Sequence, residues 1–134
     1  MVQQRVLILC TGNSARSQMA EGLLRRMAGD RFEVFSAGTR PAGLNPNAVA
    51  AMAEIGIDIS GHRSKSIDEF EGQQFDYVIT VCDNAKESCP VFPGAGRRIH
   101  HSFNDPADQQ LPAFRTVRDQ MSGWLTEFVR CAPD

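Results

Sequence analysis

Two groups able to act jointly on an anion stand six positions apart near the start of the chain, the thiol of Cys10 and the guanidinium of Arg16. Between them runs Thr11-Gly12-Asn13-Ser14-Ala15, and Ser17 follows. Gly12 and Asn13 are the residue types that best tolerate left-handed backbone, so this loop can curl until its amide hydrogens converge on one point. A helix starting at Arg16 adds the partial positive charge of its N-terminus, and the planar guanidinium fork matches two oxygens of a tetrahedral oxyanion. The same field falls on the sulfur of Cys10 and suits it to nucleophilic attack, with Ser17 able to donate a hydrogen bond to it. A cysteine that closes a buried strand is ordinarily just a small apolar residue. An arginine placed across a five-residue loop argues for chemistry instead.

The chain has four cysteines, at positions 10, 82, 89 and 131. In a reducing compartment structural bridges rarely persist, and a chain of 134 residues buries enough apolar surface to fold without them. Reactive or simply buried thiols are therefore expected. Cys82, Cys89, His100 and His101 lie within one short region, but their spacing matches neither common zinc-finger pattern, and no metal is expected. Cys89 follows Cys82 after a polar run, residues 83–88. Such a run can fold back until two thiols reach disulfide range, about 4.4–6.8 Å between Cα atoms. Two unrelated surface thiols are the other reading. Asp105 precedes Pro106, a pairing that ordinarily marks a turn and can also present a carboxylic acid. Cys131 has no motif around it and reads as incidental.

The elements that must position these groups alternate. Residues 6–9, Val-Leu-Ile-Leu, form an unbroken apolar run, as in a parallel strand covered on both faces; Met19, Ala20, Leu23, Leu24 and Met27 then recur at helical spacing. A second strand is expected at residues 32–37. A second helix has Asn45 as its cap, Pro46 at its first position and Gly56 to end it. One short helical turn is expected at residues 67–70, a strong strand at 77–81 and a weaker one at 97–101. Pro112 opens a last helix whose buried stripe is Phe114, Val117, Met121, Trp124, Leu125 and Phe128. The pattern predicts one α/β domain over residues 1–134, a four-stranded parallel sheet flanked by helices with right-handed crossovers, ligands binding at the carboxyl ends of the strands.

A net charge of -2 gives no reason to expect nucleic acid or an anionic membrane as partner. The first apolar run is too short for a signal peptide, so a cytoplasmic protein is expected.

The run CTGNSARSQMAEG from Cys10 resembles the phosphate-binding loop of low-molecular-weight protein tyrosine phosphatases, and more closely that of the thioredoxin-coupled arsenate reductases within that superfamily. The resemblance extends through SAG from Ser36, NP from Asn45, GIDIS from Gly56, CDNAKESCP from Cys82 and NDPA from Asn104. It implies a flavodoxin-like winding and an oxyanion cradle made by Thr11, Gly12, Asn13, Ser14, Ala15 and Arg16. It further implies Cys10 as nucleophile assisted by Ser17, and Asp105 as the acid that protonates the leaving oxygen. Cys82 and Cys89 would form a relay: Cys82 attacks Cys10, Cys89 attacks Cys82, and the disulfide passes to thioredoxin.

The substrate implied is arsenate, with phosphate or sulfate as mimics, in an expected monomer with no bound cofactor and an external thiol reductant. Residues 83–88 are expected to be helical in the reduced protein, which would hold Cys82 and Cys89 about 10 Å apart along the axis; closing that disulfide would then require unwinding. Some members of the family bind potassium through residues matching Asn13, Glu21 and Ser36, with an acidic residue where this chain has Lys65. The Lys65 ammonium is expected either in the cation's place or solvated at the surface. The phosphatases follow their Asp-Pro with aromatic residues, where this chain has Ala107 and Asp108. Two other functions compatible with the loop are a phosphomonoester or protein tyrosine phosphatase and a non-catalytic oxyanion or redox sensor.

Overall fold

The computed structural model describes residues 3–83 and 91–132. Four parallel strands, β1 (Gln4–Cys10), β2 (Phe32–Gly38), β3 (Phe75–Thr80) and β4 (Ala95–His100), form one sheet in the order β2-β1-β3-β4. Three helices, α1 (Arg16–Ala28), α2 (Pro46–Ala53) and α3 (Leu111–Cys131), and a 3-10 turn at Ile67–Phe70 complete the described elements. This is the parallel α/β sheet expected from the alternating pattern.

The strand β1 is central, and Val6, Leu7, Ile8 and Leu9 are fully buried because both its faces are covered. Side chains alternate across a strand. Val6, Ile8 and Cys10 accordingly join the cluster filled by Met19 and Leu24 of α1, Met52 of α2 and Phe114, Met121 and Leu125 of α3. Leu7 and Leu9 face the opposite cluster, where Phe70, Phe75 and Phe92 meet edge to face. Each such fully buried large aliphatic or aromatic side chain contributes about 1.5–3 kcal/mol. The three helices pack on one another and share the first face.

Local signals explain most boundaries. Asn45 caps α2 by accepting a hydrogen bond from the amide of Asn47 at 2.8 Å, and Pro46 opens the helix. Gly56, with φ of 78°, terminates the turn that follows it. The stripe of α3 is buried as expected except that Trp124 is half-buried, its ring stacked on Phe128 and near His101 and Phe103. The strand β4 begins two residues earlier than its pattern indicates and is largely exposed, as an edge strand carrying Arg97 and Arg98 is. The expected helix over residues 83–88 and its relation to Cys89 fall largely outside the described residues.

Candidate active site

The carboxyl ends of β1 and β3 adjoin at the point where the strand order turns back, the usual ligand position in such sheets. There β1 ends at Cys10 and the chain curls through residues 11–15 into α1. Asn13 carries the turn with φ of 46°, the left-handed conformation anticipated for it. The N-cap of α1 is Ala15, which makes no side-chain capping bond, so the first amides of the helix are left for an anion.

Three outside segments hold the loop in this shape. Gly38, closing β2, approaches so near that a Cβ there would lie 2.5 Å from the carbonyl oxygen of Thr11. The amides of Arg40, Ala42 and Asn45 then donate to the carbonyls of Thr11, Gly12 and Ser14 at 2.9, 2.9 and 3.0 Å. Ser64 Oγ donates to the carbonyl of Gly12 at 3.1 Å. These bonds occupy outward-facing carbonyls of the loop.

Cys10 is 2 % exposed, and its sulfur receives the amide of Asn13 at 3.3 Å and lies 2.9 Å from Ser17 Oγ. Asn13 Nδ2 donates to Ser17 Oγ at 2.8 Å, which leaves the serine proton to point at the sulfur. Arg16, almost fully buried, donates to the carbonyl of Phe103 at 3.3 Å and faces Asp105 Oδ2 at 3.5 Å. Asp105 lies in an exposed loop and accepts from the amide of Ala107. A cavity of about 250 Å³ opens over Cys10, with Thr11, Gly12, Ser14, Ala15 and Arg16 around it and Arg40, Ala42, Asp105 and Ala107 at its mouth.

Behind the loop is a buried polar network. Asn13 Nδ2 also donates to Ser36 Oγ at 3.0 Å, and Ser36 Oγ donates to Glu21 Oε1 at 2.5 Å. Arg25 pairs with Glu21 Oε2 at 2.9 Å. The Lys65 ammonium lies 3.9 Å from Glu21 Oε1 and donates to the carbonyl of Arg63 at 3.1 Å, while its amide donates to Asn13 Oδ1 at 2.9 Å. Burial lowers the pKa of Lys65, opposed by the neighbouring Glu21 carboxylate. Asn13, Glu21, Ser36 and Lys65 are thus brought together.

Sequence reasoning did not single out Gln18 or His62. Gln18 Nε2 binds the backbone carbonyl of Asn13 at 3.1 Å and its Oδ1 at 2.9 Å, and His62 Nδ1 lies 3.0 Å from Gln18 Oε1. Burial of the ring is the main cause that lowers the pKa of His62 and favours its neutral form. A polar residue in the first turn of a helix that points toward a buried loop was the available signal for Gln18.

Cys82 follows β3 and is fully buried in the same cluster as Cys10. The amide of Val81 donates to the carbonyl of Leu9 at 3.0 Å, so the chain beside Cys82 is tied to the end of β1. Cys82 is disulfide-bonded, whereas Cys10 and Cys131 are free thiols. Cys89 lies outside the described residues. Cys131 is exposed at the end of α3. Among the described residues no cluster of histidine, cysteine or carboxylate side chains is arranged to hold a metal ion, and no helix is long and apolar enough to cross a membrane.

Fold and loop define an α/β protein with a cysteine and an arginine gathered at one strand-end loop under an open pocket. The family model for low molecular weight phosphotyrosine protein phosphatase matches residues 5–131, and the chain belongs to that family. Within it, the chain is 44% identical over 134 aligned residues to the arsenate reductase of Bacillus subtilis, covering 96% of each. Among solved structures, an arsenate reductase in a phosphate-binding state superposes with a TM-score of 0.86 at 33% identity, over 96% of this chain and 98% of that one. A thioredoxin-dependent arsenate reductase of Corynebacterium glutamicum superposes with a TM-score of 0.74 at 28% identity, over 96% of this chain and 61% of that one.

Proposed function

We propose that the protein reduces arsenate to arsenite with Cys10 as the nucleophile, and that thioredoxin returns it to the reduced state. The observation that carries this reading is the Cys10 sulfur at the base of the cradle, facing Ser17 and Asn13, with Arg16 beside it and a second cysteine at the end of the adjoining strand. The likeness to proteins named arsenate reductase supports the choice of oxyanion.

In this reading the Cys10 thiolate attacks arsenic(V) and displaces one oxygen, which leaves as water after taking a proton from Asp105. The cradle amides and Arg16 stabilise the charge on the remaining oxygens. Cys82, freed from its disulfide beforehand by thioredoxin, then attacks the Cys10 sulfur as a thiolate. The sulfur–arsenic bond breaks and its electron pair stays on arsenic, releasing arsenite and leaving a Cys10–Cys82 disulfide. Cys89 attacks Cys82, restoring the Cys10 thiolate, and the dithiol of thioredoxin reduces the Cys82–Cys89 disulfide. These exchanges conserve electrons: two pass from sulfur to arsenic and two from thioredoxin to the protein. Arsenic detoxification is the physiological role this activity would serve.

Lys65 completes the reading. Asn13 Oδ1 already accepts from Gln18 and Lys65, Glu21 already holds Ser36 and Arg25, and an ammonium stands beside the same carboxylate. This donor set does not fit a potassium ion, and Lys65 supplies the positive charge in its place.

Arsenate-dependent NADPH oxidation, coupled through thioredoxin and its reductase, tests the proposal. Cys10→Ser and Arg16→Ala should each abolish turnover, the first by removing the nucleophile and the second by removing the oxyanion clamp. Cys89→Ser should release one arsenite per enzyme without recycling, and Cys131→Ser should change little. Near-parental turnover in Cys10→Ser would end the reading. Hydrolysis of a phosphomonoester with no arsenate-dependent oxidation would assign the cradle to a phosphatase.

A further inference from the structure

We infer that Arg40 is a substrate-capturing residue at the mouth of the pocket, a second guanidinium that draws the free oxyanion toward the cradle. The inference rests on the reading of the Cys10 pocket as the oxyanion site. Arg40 belongs to the mouth of the cavity over Cys10, with Ala42 beside it and Asp105 and Ala107 also at the rim. Its backbone does not float, because the amide of Arg40 donates to the carbonyl of Thr11 and that of Ala42 to the carbonyl of Gly12, both at 2.9 Å. The close contact of Gly38 with Thr11, two residues earlier, fixes the same segment. A residue in a segment held to the outer side of the cradle by two hydrogen bonds, one of them its own, keeps its charge near the entrance.

The charge balance of the pocket gives Arg40 its role. Arg16 faces Asp105 at 3.5 Å, so these two charges partly cancel. Other arginines near the site are also matched, Arg25 by Glu21 and Arg63 by Glu69. The Arg40 side chain is exposed and, among the described residues, makes no hydrogen bond or ion pair. It is therefore an uncompensated positive charge at the entrance of a pocket built for an anion. A charge so placed raises the local concentration of an approaching anion and speeds its entry. It sits outside the cradle, so it acts on bound substrate and transition state alike, an effect that appears in KM and not in kcat.

The test compares Arg40→Gln with the parent and with Arg97→Gln, which removes an exposed positive charge from β4 and so controls for net charge. For a unit charge about 8 Å from the anion in water, Arg40→Gln should raise the KM for the arsenate dianion about five-fold at low salt. The parental kcat should be retained, and the difference should shrink as ionic strength rises. Alkylation of Cys10, scored by mass on its own peptide, supplies a readout that needs neither arsenate turnover nor thioredoxin. Arg40→Gln should slow reaction with anionic iodoacetate about two-fold relative to neutral iodoacetamide. Arg97→Gln should change neither quantity. An iodoacetate-to-iodoacetamide ratio equal to the parent's in Arg40→Gln, or an equal fall in Arg97→Gln, would overturn the role of Arg40. Loss of the ratio in a protein that turns over no arsenate would retain Arg40 as an anion-capturing residue and reject only the proposed substrate.

Discussion

Asn13 serves the site in three ways at once. Its left-handed backbone bends the loop, its amide faces the Cys10 sulfur, and its side chain ties Ser17 and Ser36 to Gln18 and Lys65. Asn13→Gly keeps the backbone conformation and loses the side-chain bonds, leaving buried partners unpaired at about 1–3 kcal/mol each. We expect a lowered thermal midpoint and slower alkylation of Cys10 in that variant, and Asn13→Ala should be worse because alanine also resists the positive φ. His62 adds a dependence on pH. Its pKa is lowered from 6.5 in the folded protein, mainly by burial, so the unfolded chain takes up a proton more readily. The contribution of the neutral ring is therefore fully present above about pH 6.5 and is lost as the pH falls below it. Denaturant titrations between about pH 7 and pH 5 should show the parent losing more stability than His62→Asn. A parallel pH dependence in both proteins would remove His62 from this role. The cysteine, arginine and glycine of the loop announce themselves by spacing, but Gln18 and His62 do not, because their importance depends on contacts made across 5 and 44 positions of chain.

At the scale of elements, periodicity located the three helices and the buried strands, since their side chains answer to a covered face. It was weakest for β4, where an edge position leaves arginines and a histidine on the surface and no alternation to read. The junction of α2 with α3 was not legible at all. Glu54, at the C-terminal end of α2, takes Arg115 at 2.7 Å and Arg118 at 2.9 Å from α3, and Arg118 also donates to the carbonyl of Ala51 at 2.8 Å. Hydrogen bonds from the two guanidinium groups hold the Glu54 pKa down at about 2. A depressed carboxyl pKa stabilises the fold above its unfolded value of 4.5 and ceases to do so as the pH falls toward about 2. Glu54→Gln should therefore be less stable than the parent above about pH 4.5, with the gap closing on acidification. A gap independent of pH would assign the loss to packing and not to the charge. Gly38→Ala is a sharper test of how strand and loop fit. The added methyl would stand 2.5 Å from the Thr11 carbonyl, and the cradle must shift to admit it. Weaker phosphate binding by calorimetry is expected, together with a lower thermal midpoint.

Across the whole molecule, the polar network behind the cradle brings the Lys65 ammonium to 3.9 Å from the Glu21 carboxylate. If Lys65 supplies the positive charge of this network, as proposed, then potassium and sodium should affect the thermal midpoint equally at matched ionic strength, and Lys65→Asp should create a preference for potassium. A potassium-specific stabilisation of the parent would count against that placement. The parallel sheet and a loop at the carboxyl end of its first strand followed from the alternation of elements. What did not follow was how late in the chain the site is finished. Arg16 rests on the carbonyl of Phe103, 87 positions onward, and Lys65 secures Asn13 across 52. During synthesis from the N-terminus, Cys10 and Arg16 emerge together, well before Lys65 and Phe103, whose backbone groups hold Asn13 and Arg16 in place. The growing polypeptide thus carries the cysteine and its arginine before the contacts that hold them in register exist, and the loop is fixed only once Phe103 has joined the fold.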